Sequence, residues 1–374
     1  MRATRVLIHL DRFCRNLGLV RERIGPAPAI CVPVKADAYG HGAAPVAHAA
    51  LAAGARYLAV AAVGEGEELR AAGITAPVLL LSQPLPEEIP EILAWDLCPL
   101  IFDREFAETA SRAAAAAGKI LPVHLKIDTG MGRVGCRPEE AADLARYIRT
   151  LKGLHIAGTA THLAAADSPR EEDLRYTQKQ LETFRAAVAD IRAAGVDPGI
   201  VHAANSGAVV FHPGAWFDMV RPGIVLYGYS PGKDTPQALP VEPVMELRTR
   251  VVFIKEVKKG ESLSYGRTWT APRDTCIATL PVGYADGLPR TLSGDHLVRI
   301  RDVSYPLVGR ICMDQCMADL GPGPDIRHWE DVTVFGGSSP SAADIAARIG
   351  TIPYEITCHI NKRVPRVYLD PPCG

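Results

Sequence analysis

Over its first 230 or so residues the chain alternates two kinds of segment. Short, nearly continuous apolar runs lie at 29–34, 56–61, 78–82, 98–102, 122–127, 155–161, 199–204 and 217–223. Between them, apolar positions recur every three to four residues in Ala-rich stretches near 11–23, 43–53, 65–72, 86–94, 104–117, 138–151, 171–194 and 206–212. The first kind reads as buried strands and the second as amphipathic helices. Strand followed by helix, repeated, implies a parallel sheet. A doubly wound open sheet is the alternative. Eight consecutive units in this length instead favour closure into a (β/α)8 TIM-type barrel.

After residue 232 the pattern changes. SPGKDTPQALPVEP (230–243) is Pro-rich, polar and aperiodic, and reads as a linker. Beyond it come short β-rich runs, MELRTRVVFIKEV, CIATLPV, HLVRIRDVSYPLVGRI, MADL and DVTVFG, separated by Gly, Pro and Asp turns. SAADIAARIG (341–350) adds one short helix, with Ser341 as N-cap and Gly350 as stop. The expected fold class is α/β plus β: an N-terminal (β/α)8 barrel over 1–235 and a C-terminal mostly-β domain over 236–374.

Charge narrows the partners. Lys and Arg total 41 against 42 Asp and Glu, a net charge of -1, which argues against a nucleic-acid binder. The apolar stretch near the N-terminus is too short for a signal peptide, and no run approaches the ~20 apolar residues that span a bilayer. Nine scattered cysteines without a C-x-x-C pair read as reduced thiols, and so as a cytoplasmic protein. Cys312, Cys316, Cys358 and His359 do not have zinc-knuckle spacing and read as buried small residues, so no metal is expected. The basic cluster Lys362, Arg363 and Arg366 reads as a solvated or interface face.

Barrel enzymes carry their chemistry at the C-terminal strand ends. Here those ends bear Lys35, Lys126 with Asp128, His162, Asn205 with Ser206, and Arg221. In VPVKADAYGHG (32–42) a lysine leaves an apolar strand, where partial desolvation would favour a neutral, Schiff-base-forming amine. Tyr39 follows four residues later at phosphate reach, and Gly40 and Gly42 would let backbone approach a ligand.

This segment resembles the pyridoxal-phosphate lysine motif of the alanine racemases. The resemblance continues through HLKIDTGMGRVG (124–135), THLAAADS (161–168), ANSGA (204–208), VRPGIVLYG (220–228), SYGRTW (264–269), PVGYADG (281–287), GRICMDQCMADL (309–320) and PYEITCHINKRVPRVY (353–368), covering essentially the whole chain in order. It implies a homodimer with shared active sites, pyridoxal 5'-phosphate as cofactor and a small amino acid as substrate. Carried over, Lys35 would tether the cofactor and act as base on one face of the substrate. Tyr265 of the partner subunit would serve the other face. Arg221 would face the pyridine nitrogen, with His162 behind it. Tyr39, Ser206, Gly223, Ile224 and Tyr354 match phosphate-binding positions. Arg133 matches the substrate-carboxylate contact, and Lys126 a position that is often carbamylated. Met313 and Asp314 match pocket residues given by the partner, and Tyr284 a residue of the entry channel.

The sequence departs from the family at Leu163 and Ala160, where other members often carry aromatics. The implied reaction is the interconversion of L- and D-alanine, supplying D-alanine for peptidoglycan. Alternatives are a racemase of serine or another small amino acid, a decarboxylase of the same architecture, and a non-catalytic cofactor carrier. The decarboxylase motifs Cys-Glu-Ser-x-Asp and Glu-Pro-Gly-Arg are absent from the sequence.

Overall fold

A computed structural model describes residues 2–232 and 239–369. Residues 233–238 of the expected linker, including the 235/236 boundary, lie outside the described residues, as does Cys373. The chain forms two compact units. One comprises Phe13–Ala38 with Ala43–Val241; the other comprises the N-terminal residues through Arg12, Tyr39–Gly42, and the stretch from Glu242 onward.

The first unit is a closed barrel of eight strands: Ala29–Pro33, Tyr57–Val60, Val78–Leu80, Cys98–Ile101, Leu121–Lys126, Leu154–Ala160, Ile200–His202 and Met219–Val220. Each falls within or beside one of the eight apolar runs. All neighbours pair in parallel, and the barrel closes where Ala29 meets Met219 and Ile30 meets Val220. Strands covered on both faces need continuous apolar runs, which is why the sequence lacks clean alternation here. One layer of the barrel core is Cys31, Ala59, Leu79, Cys98 and Met219, all buried. The helices follow the Ala-rich stretches. Asp103 caps Arg104–Ala116 by accepting from the Phe106 amide, and Asn205 caps Ser206–Phe211 from Ala208.

The second unit is a nine-stranded sheet. Its order is Phe253–Val257, Thr275–Leu280, Cys316–Gly321, Val303–Val308, Leu297–Ile300, Asp331–Phe335, Met245–Arg250, Arg5–His9 and Arg366–Leu369. MELRTRVVFIKEV is two strands rather than one. HLVRIRDVSYPLVGRI folds back as a hairpin whose turn carries Arg301 at φ +53°. The helix Ala342–Ile349 has the expected Ser341 cap and ends at Gly350 with φ +75°.

The N-terminal strand was not recognisable as such. RVLIH alternates half-buried and buried residues, pairs antiparallel with Met245–Arg250 in a register that sets Ile8 opposite Met245, and pairs parallel with Arg366–Leu369. A five-residue run at a chain end carries too little pattern to reveal partners more than two hundred residues away.

Candidate active site

Lys35 lies two residues beyond the first barrel strand and opens an unusual turn. Ala36, Asp37, Ala38 and Tyr39 all have φ between +52° and +55°, a left-handed turn of L-residues. Such a conformation costs roughly 1–2 kcal/mol per residue and survives only where its surroundings enforce it. Two carboxylates supply much of that enforcement. Glu65 accepts from the Ala36 amide at 2.6 Å and from the Ala61 and Ala62 amides at 2.7 and 3.2 Å. Asp37 accepts from the Ala43 amide at 2.8 Å.

Arg221, at the end of the eighth strand, is only 6% exposed, and no carboxylate pairs with it among the described residues. Its guanidinium donates to the carbonyls of Thr161 (2.9 Å) and Ala203 (3.0 Å), to His202 Nδ1 (2.6 Å) and to His162 Nδ1 (3.3 Å). His202 Nε2 meets His124 Nδ1 at 2.7 Å. Arginine has only donors, so the tautomers follow. His202 must accept at Nδ1 and carry its proton on Nε2. It then donates to His124, whose own proton sits on Nε2.

Burial, followed by the charge of Arg221, drives all three histidines below the ordinary imidazole range; His124 falls to about 3. Burial also pushes Arg221 down, to about 10, which leaves it protonated at neutral pH. The result is one fixed cation braced by neutral imidazoles. Gly158 on the neighbouring strand makes room for this chain: a Cβ there would lie 2.5 Å from the His124 ring.

Lys126 is 5% exposed, and burial, then Arg221, holds its amine well below the usual lysine range; Asp128 opposes and Arg133 adds to the shift. Arg133 is exposed on the loop that follows. That loop is tied by the Asp128 amide to Cys136 O and the Cys136 amide to Lys126 O, both 2.9 Å, while Asp128 Oδ1 accepts from the Gly130 and Gly132 amides. Ser206 is buried, and its Oγ accepts from the Gly223 amide at 2.8 Å and, at 3.5 Å, from that of Val225. Ile224 lies between those two amides. Ala160 and Leu163, the positions lacking aromatics, are buried.

The second unit holds the remaining expected residues. Tyr265 is 73% exposed on a tight turn in which Ser264, Gly266 and Arg267 all have positive φ. Ser264 Oγ fastens the turn by donating to Arg310 O (3.1 Å) and accepting from its amide (2.9 Å). Tyr284, Met313 and Asp314 are also exposed. Tyr39, which groups with this unit, packs its ring against Tyr354 with centroids 5.7 Å apart.

Several expectations need correction. Gly40 and Gly42 approach the chain itself: a Cβ would lie 2.1 Å from Thr357 O and 1.9 Å from the Tyr368 hydroxyl, respectively. Cys316 is buried, but Cys312 is half-buried and Cys358 exposed. Arg363 and Arg366 are not a free basic face. Arg363 holds two carboxylates, and Arg366 donates to four backbone carbonyls, those of Gly40, Ile360, Asn361 and Val364. His124, His202 and Glu65 were missed. A signal existed for His124: it lies two residues before Lys126, hence on the same side of one strand.

Two family models match the chain: "Alanine racemase, N-terminal domain" over residues 8–231 and "Alanine racemase, C-terminal domain" over 244–368. An alanine racemase of Treponema denticola is 50% identical, covering 99% of each chain. One from Desulfovibrio desulfuricans is 43% identical, covering 97% of each. The solved alanine racemase of Clostridium difficile 630 superposes with a TM-score of 0.94 at 36% identity, covering 99% of this chain and 96% of that one.

Proposed function

The chain belongs to the alanine racemase family, and from that premise we propose that it interconverts L- and D-alanine by a two-base mechanism with pyridoxal phosphate. The observation that carries the reading is Arg221, a buried cation with no carboxylate partner among the described residues, held by neutral histidines in the barrel whose first strand leads into Lys35.

The residues fit the cofactor. Lys35 supplies an amine and Arg221 a permanent donor for a ring nitrogen. Ser206 Oγ lies buried in a cradle of backbone amides, and the first-turn amides of the helix it opens have no acceptor within that helix. Gly223, Ile224, Tyr39 and Tyr354 match the family's phosphate-binding positions and would serve the same group. When bound, pyridoxal phosphate supplies an electron sink that acidifies the substrate's Cα–H bond.

Racemisation removes a proton from one face of Cα and returns one to the other. Lys35 Nζ serves one face and Tyr265 of the partner subunit the other, so neither group has to swing around the substrate. Arg221 keeps its own proton, and an acceptor facing it therefore stays unprotonated. That weakens charge withdrawal into the ring and leaves more of the work to the two bases. Arg133 receives the substrate carboxylate, for which a guanidinium is suited. Met313 and Asp314 of the partner subunit line the substrate pocket, and Tyr284 lines the entry channel.

Lys126 takes up carbon dioxide. Its neutral amine forms the N–C bond and releases one proton, giving a carbamate anion that braces Arg133. Without that change Lys126 would offer Arg133 no anion. In the cell the enzyme works in the cytoplasm as a homodimer and supplies D-alanine for peptidoglycan.

The test uses holoenzyme with L-alanine in heavy water, following optical rotation, α-proton exchange and carbon dioxide together. Loss of rotation with exchange and no gas is expected. Tyr265→Phe should lower racemisation by about 10²–10⁴-fold, the usual contribution of a positioned acid–base group. Gas release would instead make the protein a decarboxylase.

A further inference from the structure

The basic cluster near the C-terminus does something the racemase reading leaves unused. Asp286 is fully buried at the end of the 284–286 turn. One of its oxygens, Oδ1, meets Arg363 Nε at 2.7 Å and Arg2 Nη1 at 2.6 Å, while Oδ2 accepts from the Gly283 amide at 3.0 Å. Arg363 has a second nitrogen to spend. Its Nη2 donates to Asp314 Oδ1 at 2.7 Å. One guanidinium thus joins a buried carboxylate to an exposed one 28 residues further along the chain.

The backbone around these residues is closely interlocked. The Tyr284 amide donates to Cys312 O and the Ala285 amide to Met313 O, both at 3.0 Å. Gly283 comes so near that a Cβ would lie 2.3 Å from Cys312 O and 2.4 Å from Met313 O. Arg363 is itself set by its own amide, which donates to Asn361 Oδ1, while the Asn361 amide reaches Asp286 O. The turn carrying Tyr284 and the loop carrying Met313 and Asp314 are therefore joined through their backbones, and Arg363 is the charged link that ties the loop's exposed end to the buried anchor.

We propose that Arg363 is a positioning residue: by clamping Asp314 to Asp286 it holds the 312–314 loop and the Tyr284 turn in the arrangement that receives substrate. This rests on the reading that Met313, Asp314 and Tyr284 serve the substrate pocket and its entry. A fork of fixed donors suits the task, because the two acceptors lie on different nitrogens of one rigid plane. A lysine offers a single nitrogen at the end of a flexible stem and cannot reproduce both contacts in that geometry.

The test compares wild-type holoenzyme with Arg363→Gln, Arg363→Lys and Asp314→Asn. Steady-state kinetics are measured for both alanine enantiomers, and hydrogen exchange at the Tyr284 and Ala285 amides is measured alongside. Arg363→Gln should raise KM about tenfold with kcat changed less than about threefold, the pattern of lost substrate positioning. The two amides should exchange at least about tenfold faster. Arg363→Lys should recover part of both effects. Arg363→Gln in the Asp314→Asn background should add little to KM, because the link is already cut. Unchanged KM together with unchanged exchange at these amides would overturn the proposal. So would a fall in kcat with constant KM, or full additivity of the two variants. If the wild type does not racemise alanine, the functional reading fails, and the exchange data alone decide whether Arg363 clamps the loop.

Discussion

Arg221 stays charged because nothing around it offers an alternative. It lies in a site that disfavours charge, yet its neighbours are carbonyls and neutral imidazoles that can only accept from it. The same arrangement makes the histidines sensitive to acid. An unfolded chain binds protons on histidine below about pH 6.5. In the folded protein His124 resists protonation down to about 3, and His162 and His202 are also depressed. The unfolded state therefore holds more protons, and stability falls as pH drops below 6.5, by about 1.4 kcal/mol per pH unit for each such group. Replacing His124 with Phe should flatten this slope by one proton. It should also cost about 1–3 kcal/mol at neutral pH, since the His202 Nε2–H loses its acceptor. Urea denaturation at several pH values measures both quantities.

The left-handed turn after Lys35 is the element that sets the direction of the chain as it leaves the first barrel strand. It exists because Glu65 and Asp37 capture backbone amides that a right-handed turn would aim elsewhere. Ala36 is exposed, so a substitution there tests conformation rather than packing. Ala36→Val should destabilise the protein by about 1–2 kcal/mol, because a β-branched residue is poorly tolerated at positive φ. It should also lower activity through Lys35; thermal unfolding and turnover of one sample measure the two effects.

Elements of this kind mark the boundary of what a sequence reveals. The eight strands and their helices were readable, because burial on one or both faces imposes a period on the residues. So were Lys35, Arg221 and Ser206, since each interrupts an apolar run at a strand end. Ala36, Asp37, Ala38 and Tyr39 in a row carry no sign of left-handedness. Glu65 looked like any solvent-facing helix residue, and His202 sat inside a run that read as plain core. Arg363 read as one charge among several, for its role depends on Asp286 and Asp314 lying beside it only in three dimensions.

For the whole molecule, the proposed shared site makes a prediction that no single-chain site would meet. Lys35→Ala protomers and Tyr265→Phe protomers should each be nearly inactive. Once mixed and allowed to exchange, they form hybrids with one intact Lys35–Tyr265 combination, and roughly a quarter of wild-type activity should return on statistical grounds. If activity does not recover after exchange has been verified by mass, Tyr265 does not act across subunits.

The strand Arg5–His9 lies in its sheet between Met245–Arg250 and Arg366–Leu369. Its nearer partner emerges from the ribosome roughly 235 residues after it, on the order of 12 to 50 seconds at usual synthesis rates. The barrel strands are all made in that interval and can pair without waiting. The second unit cannot complete its sheet until Arg366–Leu369 has also been made. For that time RVLIH has both edges open to unwanted pairing with other chains.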